Sequence, residues 1–488
     1  MKNFFRHNAL RWVLFGAYVT LTLWLTVNHE LWRDEADSWL LARDGSVADI
    51  FKIMPDAGHP PLWYLLLKPL AAADLSWRWM QGVNLMAVWL ATGLLIFQSG
   101  LDLLFIIPLL FSLVFSYEFP VIARNYGLGI FGLFLYAATS ESGRRKRSAV
   151  LLSSNFLMCF STVHFLALAI ILFCQRGMAS LSKSRWLKSE IYFLVMAGIS
   201  IAILWPTGRG QFSANFFEHF TPINLQDAIV HSMLPFEPAT PLTLTLSLAA
   251  IAMVMAASKK PKKITGLFTA GLGMIGAIFV FKYYSGAPRH SGLLLVWLCA
   301  CVWMTDSQQP TDGFPGTRRR WLAPIAMWLI CAWNLPVVAN VWQLEATRNF
   351  SDAHEAAEIL NGESMKNRPV VCWVPRNCLA ILPYLEGRRK FWYPEINREG
   401  TFEYWDAQSN TVHYKAFERS ITIDQVIAST IPKFSNWGKQ DGPLFVSNWR
   451  VPDPDKYGLK LISLAKKSAW RILDESFWVY GPQEMETP

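Results

Sequence analysis

Long apolar segments alternate with short polar ones over the first 343 residues, and this pattern predicts a bundle of membrane-spanning helices. A helix needs about 20 mostly apolar residues to cross a bilayer. Eleven segments meet or approach that length, and we predict a span at each one. They are Leu10–Asn28, Arg78–Phe97, Asp102–Phe119, Tyr126–Ala138, Ser148–Ser161, Val163–Gln175, Ile191–Pro206, Pro241–Ala257, Ile264–Tyr283, Ser291–Thr305 and Trp321–Gln343.

The apolar segment Pro61–Ala73 is short and carries Lys68, and the basic residues of the chain decide how it lies. Basic loops stay on the cytoplasmic side of a membrane. If the segment does not cross, the strongest basic clusters share a side with the basic N-terminus; a crossing places all of them on the opposite side. We therefore predict a helix on the outer surface, a cytoplasmic N-terminus and an outer C-terminus. The clusters are residues 144–147, 176–188, 259–263 and 318–320.

The sequence changes character after residue 343, where soluble patterns replace the apolar segments. Strands and helices alternate there, which predicts a small α/β domain outside the membrane, over residues 344–488. Cys372 and Cys378 both lie in it. They form a disulfide in an oxidising compartment or remain two buried thiols, and the sequence leaves both alternatives open. The predicted elements are helices at Asp352–Asn361, Asn377–Leu385 and Ile423–Ile431, and strands at Val370–Val374, Phe391–Tyr393 and Pro443–Val446.

The composition agrees with a membrane protein. Hydrophobic residues make up 52% of the chain and charged residues only 17%, whereas soluble proteins carry roughly a quarter charged residues. The net charge of +9 is concentrated in the basic clusters beside the predicted spans, so we expect membrane lipids and no nucleic acid as partners. The predicted fold is an all-α polytopic membrane protein, with a transmembrane domain over residues 1–343 and a first outer loop over 29–77.

Acidic residues follow the first span directly, at the predicted outer face. Charged groups this close to a bilayer are costly, and they call for a functional hypothesis. Asp34 and Glu35 stand at the beginning of the first outer loop, and the spacing of Trp32, Trp39 and Leu40 predicts an amphipathic helix resting on the membrane interface. The same loop ends in Gly58-His59-Pro60-Pro61.

Two further outer turns add cationic and aromatic residues. An acid beside cations suits a reaction in which a carboxylate activates a hydroxyl group while arginine holds a phosphate. A structural alternative stands beside each assignment: helix capping or ion pairing for Asp34 and Glu35, and anchoring at the membrane surface for the cations. The turn between the third and fourth spans holds Glu118, Arg124 and Tyr126, and that between the ninth and tenth holds Lys282, Arg289 and His290.

At these residues the chain resembles the GT-C-fold glycosyltransferases. The similar segments are Leu31–Ala36, Gly58–Leu67 and Ala123–Tyr126, in that order, with a weaker likeness at Pro288–His290. Within that fold, the chain is most similar to the bacterial relatives of protein O-mannosyltransferases and of the lipid A aminoarabinose transferase. Those enzymes take a sugar from a polyprenyl-phosphate carrier outside the cytoplasmic membrane.

The resemblance implies a role for each matching residue. Asp34 is the acid nearest the sugar transfer, Glu35 supports it, and Arg124 contacts the carrier phosphate. From their place in an outer turn, we also predict Arg289 and Lys282 as phosphate ligands. Many relatives carry a glutamate two residues before the arginine, but this chain has Ile122 there. Glu118 is the candidate substitute, one turn away. His59, Tyr126, Glu118 and His290 are expected to line the cavity.

These inferences predict a bacterial inner-membrane glycosyltransferase that acts on the periplasmic face. It would transfer a sugar from a polyprenyl-phosphate donor to a hydroxyl group of a glycan, lipid or protein acceptor. The residues show no metal-ligand spacing and establish no cofactor, although some distant relatives use a divalent ion. A flippase for lipid-linked glycans is the main alternative, but few charges lie in mid-span and no inverted repeat is visible. A membrane scaffold is a third alternative.

Overall fold

The computed structural model describes residues 2–139, 147–181, 188–205, 220–281, 288–306, 321–373, 375–403, 422–465 and 469–485. The described chain is mostly helical and ends in a small domain built around a sheet. The predicted coarse architecture is therefore confirmed. Its helices before the sheet are α1 Lys2–Asn28, α2 Arg33–Asp44, α3 Val47–Ala57, α4 Leu62–Ala72, α5 Arg78–Gln98, α6 Leu103–Leu110, α7 Tyr126–Thr139, α8 Arg147–Ser161, α9 Val163–Leu181, α10 Lys188–Ile203, α11 Ile223–Met233, α12 Pro241–Ala257, α13 Pro261–Phe281, α14 Pro288–Asp306 and α15 Leu322–Thr347.

Among the described residues, four helices are long and apolar enough to cross a membrane. They are the segment Ala9–Asn28 of α1, together with α5, α13 and α15, and six further apolar helices are shorter. This set is compatible with a multi-pass membrane protein. Helix α14 lies inside the bundle, and all residues from Ser291 to Thr305 are buried, as expected for a helix that is apolar on every side.

The third predicted span is not one continuous helix. Helix α6 ends at Leu110, two residues after Pro108. Pro108 cannot donate a backbone hydrogen bond to the carbonyl of Leu104, which weakens this helix. A single π-helical turn, Val114–Glu118, follows. The chain then runs irregularly to Asn125, so the segment that carries Arg124 is a loop packed among helices.

The first outer loop contributes three helices, α2 to α4. Helix α3 begins with a capping box between Ser46 and Asp49 and ends at Gly58, whose φ of 70° is a left-handed conformation that suits glycine. The prediction that the first helix of the loop rests on the membrane interface is wrong. All residues of α2 from Glu35 to Ala42 are buried, because α4 and the C-terminal domain cover this helix.

The C-terminal domain begins with α16, Ala353–Asn361, and contains a six-stranded sheet in the order β3-β2-β1-β4-β6-β5. Strand β1 runs parallel to both β2 and β4, and the other neighbouring strands are antiparallel. The strands are β1 Val370–Trp373, β2 Phe391–Tyr393, β3 Arg398–Gly400, β4 Leu444–Ser447, β5 Leu459–Leu464 and β6 Trp478–Pro482, and the remaining helices are α17 Pro375–Cys378 and α18 Ile423–Thr430.

The predicted helix Asn377–Leu385 is wrong. The segment holds only the short helix α17 and a 3₁₀ turn at Leu382–Tyr384, because Pro383 cannot donate the backbone hydrogen bond that a continued helix needs. A disulfide joins Cys372, on β1, to Cys378, on α17, with the two Cα atoms 6.3 Å apart. Of the two alternatives for these cysteines, the structure has the disulfide.

The first outer loop and the C-terminal domain share one hydrophobic core. Side chains of α2 and α4 pack in the same hydrophobic cluster as side chains of the C-terminal domain. The cluster crosses the predicted boundary at residue 343, and α15 itself continues to Thr347. The C-terminal domain is therefore held directly over the first loop. The shared cluster includes Leu31, Trp39, Leu40 and Trp63 from the loop and Leu360, Cys378, Leu382 and Val446 from the domain.

Candidate active site

Asp34 lies in the first turn of α2, and its carboxylate contacts two arginines from distant parts of the chain. Arg289 Nη2 donates a 3.1 Å hydrogen bond to Asp34 Oδ2. Arg124 Nη1 is 3.7 Å from the same oxygen and donates to the backbone carbonyl of Asp34. The three side chains are 18%, 13% and 14% exposed, in the order Asp34, Arg289, Arg124. The three side chains are thus mostly buried, but each keeps some exposed surface that a ligand can contact.

The loop that carries Arg124 is fixed by hydrogen bonds to three neighbouring helices. Asn84 Nδ2, on α5, donates to the carbonyls of Phe119 and Pro120 at 2.8 and 3.0 Å. Glu35 Oε1, on α2, accepts from the backbone N–H of Ala123 at 2.6 Å. After Arg124, Asn125 Nδ2 donates to the Ser161 carbonyl at the end of α8, at 2.9 Å. An irregular loop between helices needs such partners for its backbone groups.

Arg289 occupies the first turn of α14 and is held against an aromatic ring. Its guanidinium carbon lies 4.9 Å from the centroid of the Trp32 ring, a cation–π distance. Its Nε is buried and has no hydrogen-bond partner among the described residues. Trp32 directly precedes α2, so one segment supplies both the ring and the carboxylate that orient Arg289.

The charges around Asp34 favour its ionised form. Burial alone raises the pKa of a carboxyl group, but Arg124, Arg289, Arg376 and Arg33 outweigh it and hold the pKa of Asp34 well below its usual range. Asp34 also raises the pKa of Arg124 against the opposite effect of burial. Two guanidinium groups share this one carboxylate, which leaves hydrogen-bond donors for a second anion.

Glu35 follows Asp34 in sequence but belongs to a separate, sealed network. Its Oε2 is 2.8 Å from His29 Nε2, and its Oε1 accepts from Ala123. His29 Nδ1 is 2.7 Å from Glu345 Oε1. Burial lowers the pKa of His29, yet the two carboxylates overcome this effect and raise it to about 10. Glu35 therefore stabilises the loop that carries Arg124 through its hydrogen bond with the backbone of Ala123.

Three predicted cavity residues gather beside Asp34 and Arg289. His59 is 7% exposed, and burial, with Arg124 and His164 adding to it, lowers its pKa to about 3. The neutral imidazole can accept or donate a hydrogen bond. The Tyr126 ring centroid is 5.9 Å from that of His290, and His290 stacks on His164 at 6.0 Å. His164, in the first turn of α9, thus adjoins His290.

One predicted site residue, Glu118, is not brought to Asp34. Glu118 Oε1 accepts a 2.5 Å hydrogen bond from Arg471 Nη2, in the C-terminal domain. Arg471 lies against the rings of Tyr117 and Phe236. The prediction that Glu118 substitutes for the missing glutamate is not supported by this arrangement, because Glu118 connects the bundle to the outer domain. Lys282 lies outside the described residues.

The C-terminal domain supplies charged residues that sequence reasoning missed. Arg376, in α17, is 3.6 Å from Glu403 Oε2 through its Nε, and its charge also acts on Asp34. Arg33 Nη1 pairs with Asp474 at 2.7 Å. No local pattern distinguishes these residues, because their closeness to Asp34 depends on how the domain docks on the first loop.

A narrow apolar crevice of about 20 Å³ lies between α15 and the segment Pro108–Val114. Leu113 and Val338 line it and also pack in the cluster that contains Trp32, the ring under Arg289. Its other lining residues are Pro108, Phe111, Ser112, Val114, Ser232, Met233, Pro235, Leu295, Met327, Ile330, Cys331, Asn334 and Leu335.

Within the described part of the chain, no group of three or more His, Cys, Asp and Glu side chains is arranged to hold a metal ion. Comparisons of the chain with family models, with curated proteins and with solved structures find no match. The chemistry that the site can support therefore rests on its own geometry: a carboxylate, two guanidinium groups, a neutral imidazole and adjacent aromatic rings.

Proposed function

We propose that this protein is a membrane glycosyltransferase that moves a sugar from a polyprenyl-phosphate carrier to a hydroxyl group of a cell-envelope acceptor. The observation that carries the proposal is the contact of Asp34 with both Arg124 and Arg289. Three separate elements supply one carboxylate and two guanidinium groups, and these groups meet at a partly exposed place. The resemblance of the same residues to GT-C glycosyltransferases agrees with it.

The reaction needs one base and one site for the leaving phosphate. The acceptor oxygen attacks the anomeric carbon of the sugar, and its proton passes to the carboxylate of Asp34. The bond between that carbon and the phosphate oxygen breaks, and its electron pair leaves with the polyprenyl phosphate. Arg289 and Arg124 stabilise the charge that grows on this phosphate, which is the electrostatic contribution that usually dominates. A single displacement inverts the anomeric centre.

Donor binding also prepares Asp34 as a base. Without a phosphate, the two arginines pair with Asp34 and hold its pKa low, which makes it a weak proton acceptor. A phosphate that takes up the arginine donors weakens this pairing, and the pKa of Asp34 then rises toward its ordinary range. The same cations therefore keep the base inactive until the donor is present.

The apolar crevice beside α14 is the proposed path of the polyprenyl chain. Leu295 lies six residues beyond Arg289 on the same helix, or about 9 Å at 1.5 Å per residue. A phosphate at Arg289 would thus place the first isoprenoid units next to the lining of the crevice. The apolar lining of the crevice matches the hydrocarbon end of such a lipid.

We also propose eleven membrane crossings, with the N-terminus in the cytoplasm and the sheet domain in the periplasm of a bacterial inner membrane. The basic clusters support this orientation. The Cys372–Cys378 disulfide supports it independently, because disulfides persist in oxidising compartments and are rare in the cytosol.

The test is sugar transfer from a panel of radiolabelled polyprenyl-phosphate hexoses and pentoses by purified protein in lipid nanodiscs, with cell-envelope fractions as acceptors. Wild type should transfer label, and Asp34→Asn should not. Asp102→Asn is the matched control, because asparagine caps a helix as well as aspartate does and Asp102 caps α6.

Equal transfer by wild type and Asp34→Asn would remove the catalytic assignment of Asp34. Absence of transfer with every donor, together with movement of labelled lipid between the leaflets of liposomes, would replace the proposal with a flippase. Absence of both would favour a scaffold that presents the outer domain.

A further inference from the structure

The outer domain places α17 next to α2, on the side of the pocket that faces away from the helix bundle. This helix is short, but it is held from two directions. The disulfide ties Cys378 to β1, and Asn377 Nδ2 donates a 2.8 Å hydrogen bond to the carbonyl of Asp474. Arg376 directly precedes these two residues, so its backbone is fixed beside α2.

Glu403 faces Arg376 from the segment that follows β3. The residue is only 8% exposed, and its Oε2 lies 3.6 Å from Arg376 Nε. That oxygen has no hydrogen bond within the part of the chain that the structure describes. A buried carboxylate oxygen without a donor is unfavourable, and in native proteins it calls for an explanation. A ligand that supplies the donor is one.

Glu403 lies near enough to Asp34 for the charge of Asp34 to act on it. Burial raises the pKa of Glu403, the charges of Arg376 and Arg33 oppose this effect, and those of Asp37 and Asp34 add to it. Burial thus favours the protonated side chain. It can accept a hydrogen bond from a hydroxyl group or donate one to it.

The two sides of the pocket differ in the charge that they favour. Arg124 and Arg289 belong to the bundle, and the carboxylate that they contact is Asp34. On the domain side, Arg376 is paired with Glu403, and a second acid, Asp37, is close to both. Carboxylates repel a phosphate but bind neutral hydroxyl groups well, so the domain side suits the acceptor.

We propose that Arg376 and Glu403 form the acceptor-binding side of the pocket and hold a sugar-like acceptor through hydroxyl groups next to the one that reacts. This inference rests on the proposed function, since the reacting hydroxyl is the one beside Asp34. Arg376 and Glu403 are binding residues in this scheme, and the disulfide is the element that positions them.

The experiment separates donor binding from acceptor use in wild type, Glu403→Gln, Arg376→Gln and Arg289→Gln, all in lipid nanodiscs. Decaprenyl phosphate is the probe for the donor side, and its binding is measured by native mass spectrometry. Transfer to envelope glycolipid and release of free sugar by water are measured with the radiolabelled donors. Glu363→Gln is the control, because Glu363 is an exposed carboxylate of the same domain.

We expect Glu403→Gln and Arg376→Gln to reduce transfer to the acceptor at least tenfold, while decaprenyl phosphate binding and sugar release to water stay within twofold of wild type. Arg289→Gln should lose donor binding, and Glu363→Gln should change nothing. Unchanged transfer in both domain variants, or a parallel loss of donor binding, would overturn the acceptor assignment alone. A wild type that neither binds decaprenyl phosphate nor transfers sugar would overturn the proposed function and this inference with it.

Discussion

Asp34 and Glu35 are neighbours in sequence, but they lie in two regions with opposite properties. Around Asp34, side chains are partly exposed and two arginines contact one carboxylate. Around Glu35, both carboxylate oxygens are occupied and the side chains of Glu35, His29 and Glu345 are at most 1% exposed. The buried network of Glu35 has a hydrogen-bond partner for each carboxylate oxygen and stabilises the fold. The partly exposed arginines at Asp34 keep N–H donors that a ligand can use.

The largest expected effect comes from breaking the accessible region. Asp34→Asn keeps the size of the side chain but removes its charge and its capacity as a base. We expect sugar transfer to fall about 10²- to 10³-fold, the range for loss of one strong transition-state contact. Initial rates with saturating donor measure it. A fall of less than tenfold would assign the base to another group.

Glu35→Gln tests the sealed region, and its main effect should be on stability. The change leaves the His29 cation with one carboxylate in place of two and weakens the contact that holds Ala123. Breaking such a buried pair costs about 3 kcal/mol or more. Thermal unfolding in detergent should show a larger drop in melting temperature for Glu35→Gln than for Asp34→Asn. The reverse order would contradict the division into scaffold and ligand site.

A smaller effect is expected from Arg289→Lys, which keeps the charge but loses the planar fork and its contact with Trp32. Loss of one hydrogen bond to a charged group costs about 1.5–3 kcal/mol. The affinity for decaprenyl phosphate should fall roughly 10- to 100-fold, as measured by titration. Arg43→Lys, at an arginine that pairs with Asp44, is the control and should bind like wild type.

Per unit of pH, the change in stability is expected to be the smallest of these effects. The pKa of His29 is about 10 in the folded protein, against about 6.5 in an unfolded chain. The folded state therefore holds a proton that the unfolded state loses, so the stabilisation from His29 is complete below about pH 6.5 and disappears as the pH rises through 10. The slope is at most about 1.4 kcal/mol per pH unit. Unfolding measured from pH 6 to 10 should show it in wild type and not in His29→Gln.

Sequence reasoning worked where local patterns decide the outcome. Apolar length predicted the helices, and the turns between predicted spans pointed to Asp34, Arg124 and Arg289, which the structure brings together. These residues flank helix ends, so the order of the spans was enough to place them on one face.

The remaining parts depend on contacts between distant segments, which no local pattern records. Glu118 pairs with Arg471, 353 residues later, and Glu403 reaches the pocket only because the sheet domain docks on the first loop. The burial of α2 has the same origin. The helix is amphipathic as predicted, but its apolar face packs against protein and not against the membrane surface.

The core shared by the first loop and the sheet domain also sets an order of events during synthesis. Residues 29–77 are made early, while their partners from Leu360 onward come only near the end of translation. Until then Leu40 and Trp63 have no cover from the domain. These side chains are covered only once the sheet domain has folded onto the first loop, so the surroundings of Asp34 are completed late.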